Sequence, residues 1–306
     1  MSATPDPNAP VRRLTVGDIT RLYADGQRIP MLTAYDYPTA KLVDEAGIPL
    51  ILVGDSLGRV YLGYENEIPV SMADMLHHTA AVTRGARRAL VIGDMPFLSY
   101  ATAESAVANA GRFLAEAGVQ AVKVEGGRRT SRTIEAITKA GIPVMGHIGW
   151  TPQAANQAGK VRVLGKTREQ ARTLLADALA VQEAGAFGVV LELVPEQLAA
   201  AITQRLHIPT IGIGAGAGCS GQVQVITDLL GLDAWRPKHA RAYADLRGTI
   251  LQAARAYAAD VAAGSFPGAA ETVRMDDEVL ADVLGRGAMD NAAAMPMGGI
   301  PLDRDL

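Results

Sequence analysis

One cysteine, Cys219, stands among 306 residues. An internal disulfide framework and a thiolate zinc site are both excluded, so any metal must be held by oxygen or imidazole. Long apolar runs are missing too: stretches such as 48–53 fall far short of the roughly 20 residues that span a bilayer. The N-terminus carries Pro and Asp rather than a basic stretch followed by an apolar one, so no secretory signal is read and a cytoplasmic protein is expected. Nor is there an excess of basic residues: 29 Lys and Arg face 32 Asp and Glu, a formal net charge of −3. That balance lacks the footprint nucleic acid or an anionic membrane selects, and neither partner is expected. What is present, 49% hydrophobic and 20% charged residues, suffices for one large core such as a barrel domain of about 250 residues.

A punctuation mark recurs four times. Glu45-Ala46-Gly47-Ile48, Glu116-Ala117-Gly118-Val119, Lys139-Ala140-Gly141-Ile142 and Glu183-Ala184-Gly185-Ala186 each close a helical stretch and open an apolar one. Glycine in the left-handed position just past a helix end, with a strand following, produces that pattern. Ala103, Ala106, Val107, Ala110, Phe113, Leu114 and Ala117 keep three-and-four spacing after an N-cap at Thr102, and Thr167 with Gln170 reads as a capping box for a helix running to Ala184. Strands are predicted at 31–35, 50–54, 89–93, 121–125, 143–147, 188–193 and 209–214, with an eighth at 235–238 despite Pro237. Most are apolar on both faces, the mark of parallel strands covered by helices. Seven or eight strand-then-helix units favour an α/β fold of the (β/α)8 TIM barrel type over a doubly wound sheet. Residues 12–267 are read as that barrel, with an extra N-terminal helix at 15–24 and a last helix at 243–263. Residues 1–11 and the weakly periodic 268–306 are read as mobile ends.

In such a barrel the C-terminal ends of all strands open on one mouth. "LILVGDSLG" at 50–58 and "LVIGDMPF" at 90–97 each end an apolar run on Gly-Asp. The strand ends then bring Asp55, Ser56, Asp94, Lys123, Glu125, His147 and Glu192 to the mouth, with Lys123 and Glu125 on one face of their strand. Four carboxylates with one lysine and one histidine repel one another, and a divalent cation relieves that. Asp55 and Asp94, with Glu125 behind them, offer the hard oxygen ligands that Mg2+ takes when it keeps waters and shares its shell with substrate oxygens. Taken singly, each Asp is equally well explained as a turn or helix cap; the matched pair on neighbouring strands favours the metal. For His147 a structural hydrogen-bonding role explains the residue as well as an orienting one. His77 and His78 lie in a predicted helix and cannot present both rings to one point, "GIGAGAG" is a weak match to a phosphate cradle, and Cys219 has no neighbouring base.

"TAYDYPTAKLVDEAG", "LVGDSLG", "GYENEIPVSMADMLHHTAAVTRG", "GDMPFLSY", "VKVEGG", "GHIGWTPQ", "VLELVP" and "IGIGAGAGCSGQ", in this order over about residues 12–267, resemble the ketopantoate hydroxymethyltransferase family. The resemblance implies a (β/α)8 enzyme of pantothenate synthesis. It would move a one-carbon unit from 5,10-methylenetetrahydrofolate to 3-methyl-2-oxobutanoate, giving 2-dehydropantoate, with Mg2+ bound and as a homo-oligomer, commonly a decamer. By that resemblance Asp55 and Asp94 match metal ligands, Glu125 an acid close to or on the metal, Ser56 and Lys123 contacts to the keto acid, and Glu192 the proton acceptor. The residue types suit the chemistry. A 2-oxo acid chelates Mg2+ and its enolate is stabilised by the Lewis acid, Lys123 neutralises a carboxylate, and Glu192, flanked on its face by Val190 and Val194, is expected to be desolvated toward a higher pKa. The chain departs from the family pattern at Ser220, where an acid is common, at Thr227, where His often precedes Asp228, and at His239, where Phe is frequent. Other readings stay open: a paralogue acting on another 2-oxo acid, a metal-dependent carbon–carbon lyase or mutase on a similar barrel, and a non-catalytic keto-acid-binding relative.

Overall fold

The computed structural model describes residues 12–284. Eight parallel strands close a barrel in sequential order: β1 (Ile29–Thr33), β2 (Leu50–Val53), β3 (Leu90–Asp94), β4 (Ala121–Glu125), β5 (Val144–Gly149), β6 (Gly188–Glu192), β7 (Thr210–Ile213) and β8 (Gly221–Gln224), which pairs back to β1. Helix α1 (Val16–Ala24) precedes β1, capped by Thr15. Then come α2 (Tyr37–Glu45), α3 (Leu57–Val60), α4 (Met72–Gly85), α5 (Ala103–Ala115), α6 (Ser131–Lys139) and α7 (Ala155–Ala158). Helices α8 (Arg168–Glu183), α9 (Glu196–Arg205), α10 (Ile226–Leu230), α11 (Leu246–Ala263) and α12 (Asp277–Leu284) complete the order.

Strand alternation divides the core into two layers. Met31, Leu50, Leu52, Leu90, Ile92, Met145, Val190 and Ile211 form one buried cluster inside the barrel. Their sequence neighbours Ile51, Val91, Val122, Val144, Val189 and Leu191 join a second, larger cluster with the helices. Each such buried side chain contributes about 1.5–3 kcal/mol. The four helix-closing glycines, Gly47, Gly118, Gly141 and Gly185, all have φ between 72° and 89°, the left-handed turn the sequence pattern implies. The Thr102 cap is present, and the Thr102 backbone N–H donates in return to Ser105 Oγ.

Two expectations are corrected. Thr167 does cap α8 through the Gln170 N–H, but the Gln170 side chain accepts from the Gly165 N–H instead of closing a capping box. The eighth strand is not 235–238, which is irregular and carries an exposed Trp235; it is Gly221–Gln224. No helix separates β7 from β8, so the strand-then-helix period fails there. Residues 214–220 run back along the outside of the barrel against α9: a Cβ on Gly216 would lie 2.4 Å from Glu196 Cγ, and one on Gly218 2.7 Å from Ala200 Cβ. The glycines of "GIGAGAG" serve close packing. Gly218→Ala is expected to cost about 1–3 kcal/mol through overpacking, seen as a lower denaturant midpoint at an unchanged slope.

One compact unit ends at Arg247 and a second begins at Gly248, within α11. In the second unit α11 and α12 contain no buried residue, and α12 occupies part of the stretch read as a tail. The rest of that tail, 285–306, and the N-terminal segment 1–11 lie outside the described residues. Among the described residues no helix is long and apolar enough to cross a membrane.

Candidate active site

The alternation that fills the barrel interior also builds the site. One step beyond Ile92 on the same face stands Asp94; beyond Ala121 come Lys123 and Glu125, beyond Met145 His147, and beyond Val190 Glu192. Register sets Asp94 beside Lys123 and Glu125 beside His147. Lys123 Nζ lies 2.8 Å from Asp94 Oδ1 and 3.6 Å from Glu125 Oε1. His147 Nδ1 is 3.2 Å from Lys123 Nζ and 3.3 Å from Glu125 Oε1, while its Nε2 is 3.1 Å from Glu192 Oε2. Imidazole thus lies between two carboxylates at ion-pair distance, its Nε2 without a well-directed hydrogen bond. Directly after Glu192 the chain turns through Leu193 in the left-handed region (φ 49°), held by a 2.9 Å bond from its N–H to the Ile213 carbonyl. A non-glycine residue kept there costs of order 1–3 kcal/mol, and it sits where Glu192 is aimed.

Asp55 follows β2, and its N–H donates to Asp94 Oδ2 at 3.1 Å. Its own carboxylate accepts from Gln153 Nε2 at 2.8 Å. Ser56 stands at the N-cap position of α3, with its hydroxyl 2.8 Å from that of Tyr35. All of the strand-end residues singled out from sequence therefore lie on one end of the barrel, and Asp55, Asp94, Lys123, Glu125, His147 and Glu192 form one contact network.

Burial pushes the Asp55 pKa well up, and the charges of Asp94 and Glu125 add to it. Burial likewise raises Asp94, against the opposing Lys123 ammonium. For Lys123 burial works the other way, but Asp94, Glu125 and Asp55 outweigh it and keep the ammonium charged. Glu125 is lowered: Lys123 and His147 overcome the cost of its burial. His147 is raised, because Glu125 and Glu192 overcome burial and the nearby Lys123. Glu192 does not sit in the purely apolar surroundings expected from Val190 and Val194; its side chain is 17% exposed and meets the imidazole.

The carboxylate excess leaves room for a cation. Asp94 Oδ1 and Glu125 Oε1 are buried with ion-pair contacts but no well-directed hydrogen bond. Among the described residues, however, no three His, Cys, Asp or Glu side chains stand at metal-holding separation. Glu125 is engaged by Lys123, His147 and the Gln153 N–H. The Asp55–Asp94 pair by itself fits Mg2+, which is usually held by one or two carboxylates and completes its shell with water and substrate oxygens.

Sequence reasoning missed Gln153. Its side-chain amide donates to both Asp55 and the Met95 carbonyl, its backbone N–H donates to Glu125, and its carbonyl oxygen accepts from Tyr100. An amide carries no charge pattern, so the only signal was its place four residues past the end of β5, in "GHIGWTPQ". Glu67 was missed as well: buried in a loop, it is raised by burial and by the charges of Glu125 and Glu192. His78 bonds the Tyr35 carbonyl, and Cys219 is buried, with burial raising its thiol. Ser220 pairs with Thr210 where β7 and β8 begin, at the opposite end from the site. His239 packs against the position of Gly214, just past β7, and Thr227 is buried in α10.

A family model described as ketopantoate hydroxymethyltransferase matches residues 13–269. A protein of Chloroflexus aurantiacus named 3-methyl-2-oxobutanoate hydroxymethyltransferase is 61% identical over 274 residues, covering 89% of this chain and 97% of that one. One of Roseiflexus sp. with the same name is 53% identical over 273 residues, covering 89% and 98%. Among solved structures, phosphonopyruvate hydrolase in complex with oxalate and Mg2+ aligns with a TM-score of 0.55 at 15% identity, covering 91% and 98% of the two chains. A 2,3-dimethylmalate lyase of the PEP mutase/isocitrate lyase superfamily aligns with 0.53 at 15%, covering 94% and 99%. At that identity the likeness is one of fold alone.

Proposed function

The chain belongs to the ketopantoate hydroxymethyltransferase family, and from that premise we propose that it transfers a hydroxymethyl group from 5,10-methylenetetrahydrofolate to 3-methyl-2-oxobutanoate, giving 2-dehydropantoate. Asp55 and Asp94 would hold Mg2+, which supplies Lewis acidity at the keto oxygen when bound. Lys123, kept charged by its three carboxylate neighbours, neutralises the carboxylate of the keto acid, with Ser56 as a second contact. Glu125 stays ionised and fixes both Lys123 and His147. His147 in turn orients Glu192. Glu192 takes the proton from C3; a water supplies the hydroxyl to the folate's methylene carbon, both bonds of that carbon to nitrogen break, and the enolate carbon takes it up as CH2OH, the C3 proton and the second water proton ending on the nitrogens of the released tetrahydrofolate.

The observation that carries this reading is the difference between the carboxylates. Glu125 and Asp94 side chains are 1% and 2% exposed and tied to Lys123, whereas Glu192 is 17% exposed and, among the described residues, has the imidazole as its one ion-pair contact. A base must reach its substrate. The test is an assay over a panel of 2-oxo acids with and without folate, Mg2+ and chelator. Transfer to 3-methyl-2-oxobutanoate is expected to need both folate and Mg2+, and exchange of its C3 proton to need Mg2+ alone. Turnover of an oxaloacetate-like acid without folate would move the assignment to a lyase. The same reading proposes a cytoplasmic homo-oligomer, a decamer by the family resemblance, which light scattering checks.

A further inference from the structure

Beside the carboxylate network lies a cleft of about 370 Å³, between the segments that follow β3, β4 and β5. Glu125 and Gln153 form its inner wall, so it opens directly on the groups that touch Lys123, His147 and Asp55. The outer wall is Phe97 and Leu98, 38% and 65% exposed. Large apolar side chains left that open at a polar site lack a partner. Leu98 is moreover held at φ 62°, and the Ser99 carbonyl accepts a 2.6 Å bond from Asn109 Nδ2, so the wall is set in place rather than loose. Arg129 supplies the charged corner.

The keto acid does not account for this cleft. It has five carbons and no ring, and its carboxylate belongs with Lys123, which is not among the lining residues. The second reactant does account for it. A reduced folate has flat rings that suit Phe97 and Leu98, a polar edge that suits amides, and a glutamate tail that needs cations. Cations are concentrated there. Next to Arg129, Arg128 opens a second groove of about 460 Å³ that it shares with Arg168 and Arg172, three guanidinium groups against the single carboxylate of Glu169. Those two stand one turn apart on α8, exposed, and with no ion-pair partner among the described residues; Arg128 is paired with Asp177. In a chain of net charge −3, unpaired guanidinium groups gathered beside the mouth mark a site for carboxylates.

We propose that the cleft between the β3, β4 and β5 segments seats the folate co-substrate. Its rings lie against Phe97 and Leu98, and its glutamate carboxylates run past Arg129 into the Arg168–Arg172 groove. This deepens the proposed transfer and rests on it. The geometry delivers the donor's methylene carbon from the Glu125 side, while Glu192 works from the far side of His147.

Calorimetry with tetrahydrofolate and with its tri-γ-glutamate, alongside C3 exchange of the keto acid in D2O, tests the assignment. Phe97→Ala is expected to weaken both folates about tenfold, the effect of losing one ring stack, with exchange retained. Arg168→Ala/Arg172→Ala is expected to erase the preference for the triglutamate. Unaltered affinity in both variants overturns the proposal and leaves the transfer reading standing. Loss of exchange in parallel with folate binding overturns it too, since the cleft would then hold the keto acid. A wild-type protein with neither exchange nor transfer removes the function reading itself, and the proposal with it.

Discussion

Glu192→Gln is expected to lower C3 proton exchange by 10²–10⁴-fold, about the contribution of a positioned general base, with folate-dependent transfer falling in step. The substitution keeps size and shape, and a Gln oxygen can still meet His147 Nε2 at the 3.1 Å now spanned by the carboxylate. Folding stability and the KM of the keto acid should therefore stay close to those of the parent. That split matters, because a structural role for Glu192 would show in stability first. Other carboxylates are poor substitutes. Glu125 has its pKa lowered by Lys123 and His147 and is a weaker base for it, while Asp55 and Asp94 point their oxygens at Gln153 and Lys123. Proton exchange followed by NMR in D2O with Mg2+ and no folate reads the step in isolation. Exchange at the parental rate would take the role from Glu192 and give it to a group outside this network.

Much of the fold was legible because it rests on periodicities. Continuous apolar runs and the four helix-closing glycines marked seven of the eight strands to within two residues, and the ends of those runs brought Asp94, Lys123, Glu125, His147 and Glu192 to one mouth. β8 was illegible for the converse reason. "GQVQ" buries only alternate residues, follows a glycine-rich crossover without a helix, and so resembles loop more than "AWRPK", which is the loop. Gln153 stayed hidden because its role is to satisfy other polar groups, and nothing in its own neighbourhood along the chain requires that. The departure at Ser220 also changes meaning once placed: it hydrogen-bonds Thr210 at the strand starts, where barrel residues serve stability rather than chemistry.

Asp55→Asn is expected to separate stability from function in opposite directions. In the metal-free protein the Asp55 carboxylate is buried beside Asp94 and Glu125, and its pKa in the fold lies well above that of the unfolded chain. Such a group binds a proton more tightly when folded, so its contribution to stability is present below the unfolded pKa and is lost as pH rises through the folded one. At neutral pH the charge opposes the fold. A neutral amide of the same shape, still within reach of Gln153 Nε2, should make the metal-free protein more stable, by about one to a few kcal/mol, the order seen when a buried ion pair is replaced by uncharged, well-packed side chains. Mg2+ should then do little. With Asp94 left alone, affinity should fall by more than the roughly 10–100-fold lost when a supporting neighbour of a ligand is removed. The parental protein at a hundred times its dissociation constant gains about 2.7 kcal/mol from the ion, and the variant should lose nearly all of that gain along with transfer and exchange. Thermal unfolding with a Mg2+ titration reads both effects. A variant that is destabilised without metal yet still stabilised by Mg2+ would mean that Asp55 supports the barrel end and that the cation is held elsewhere.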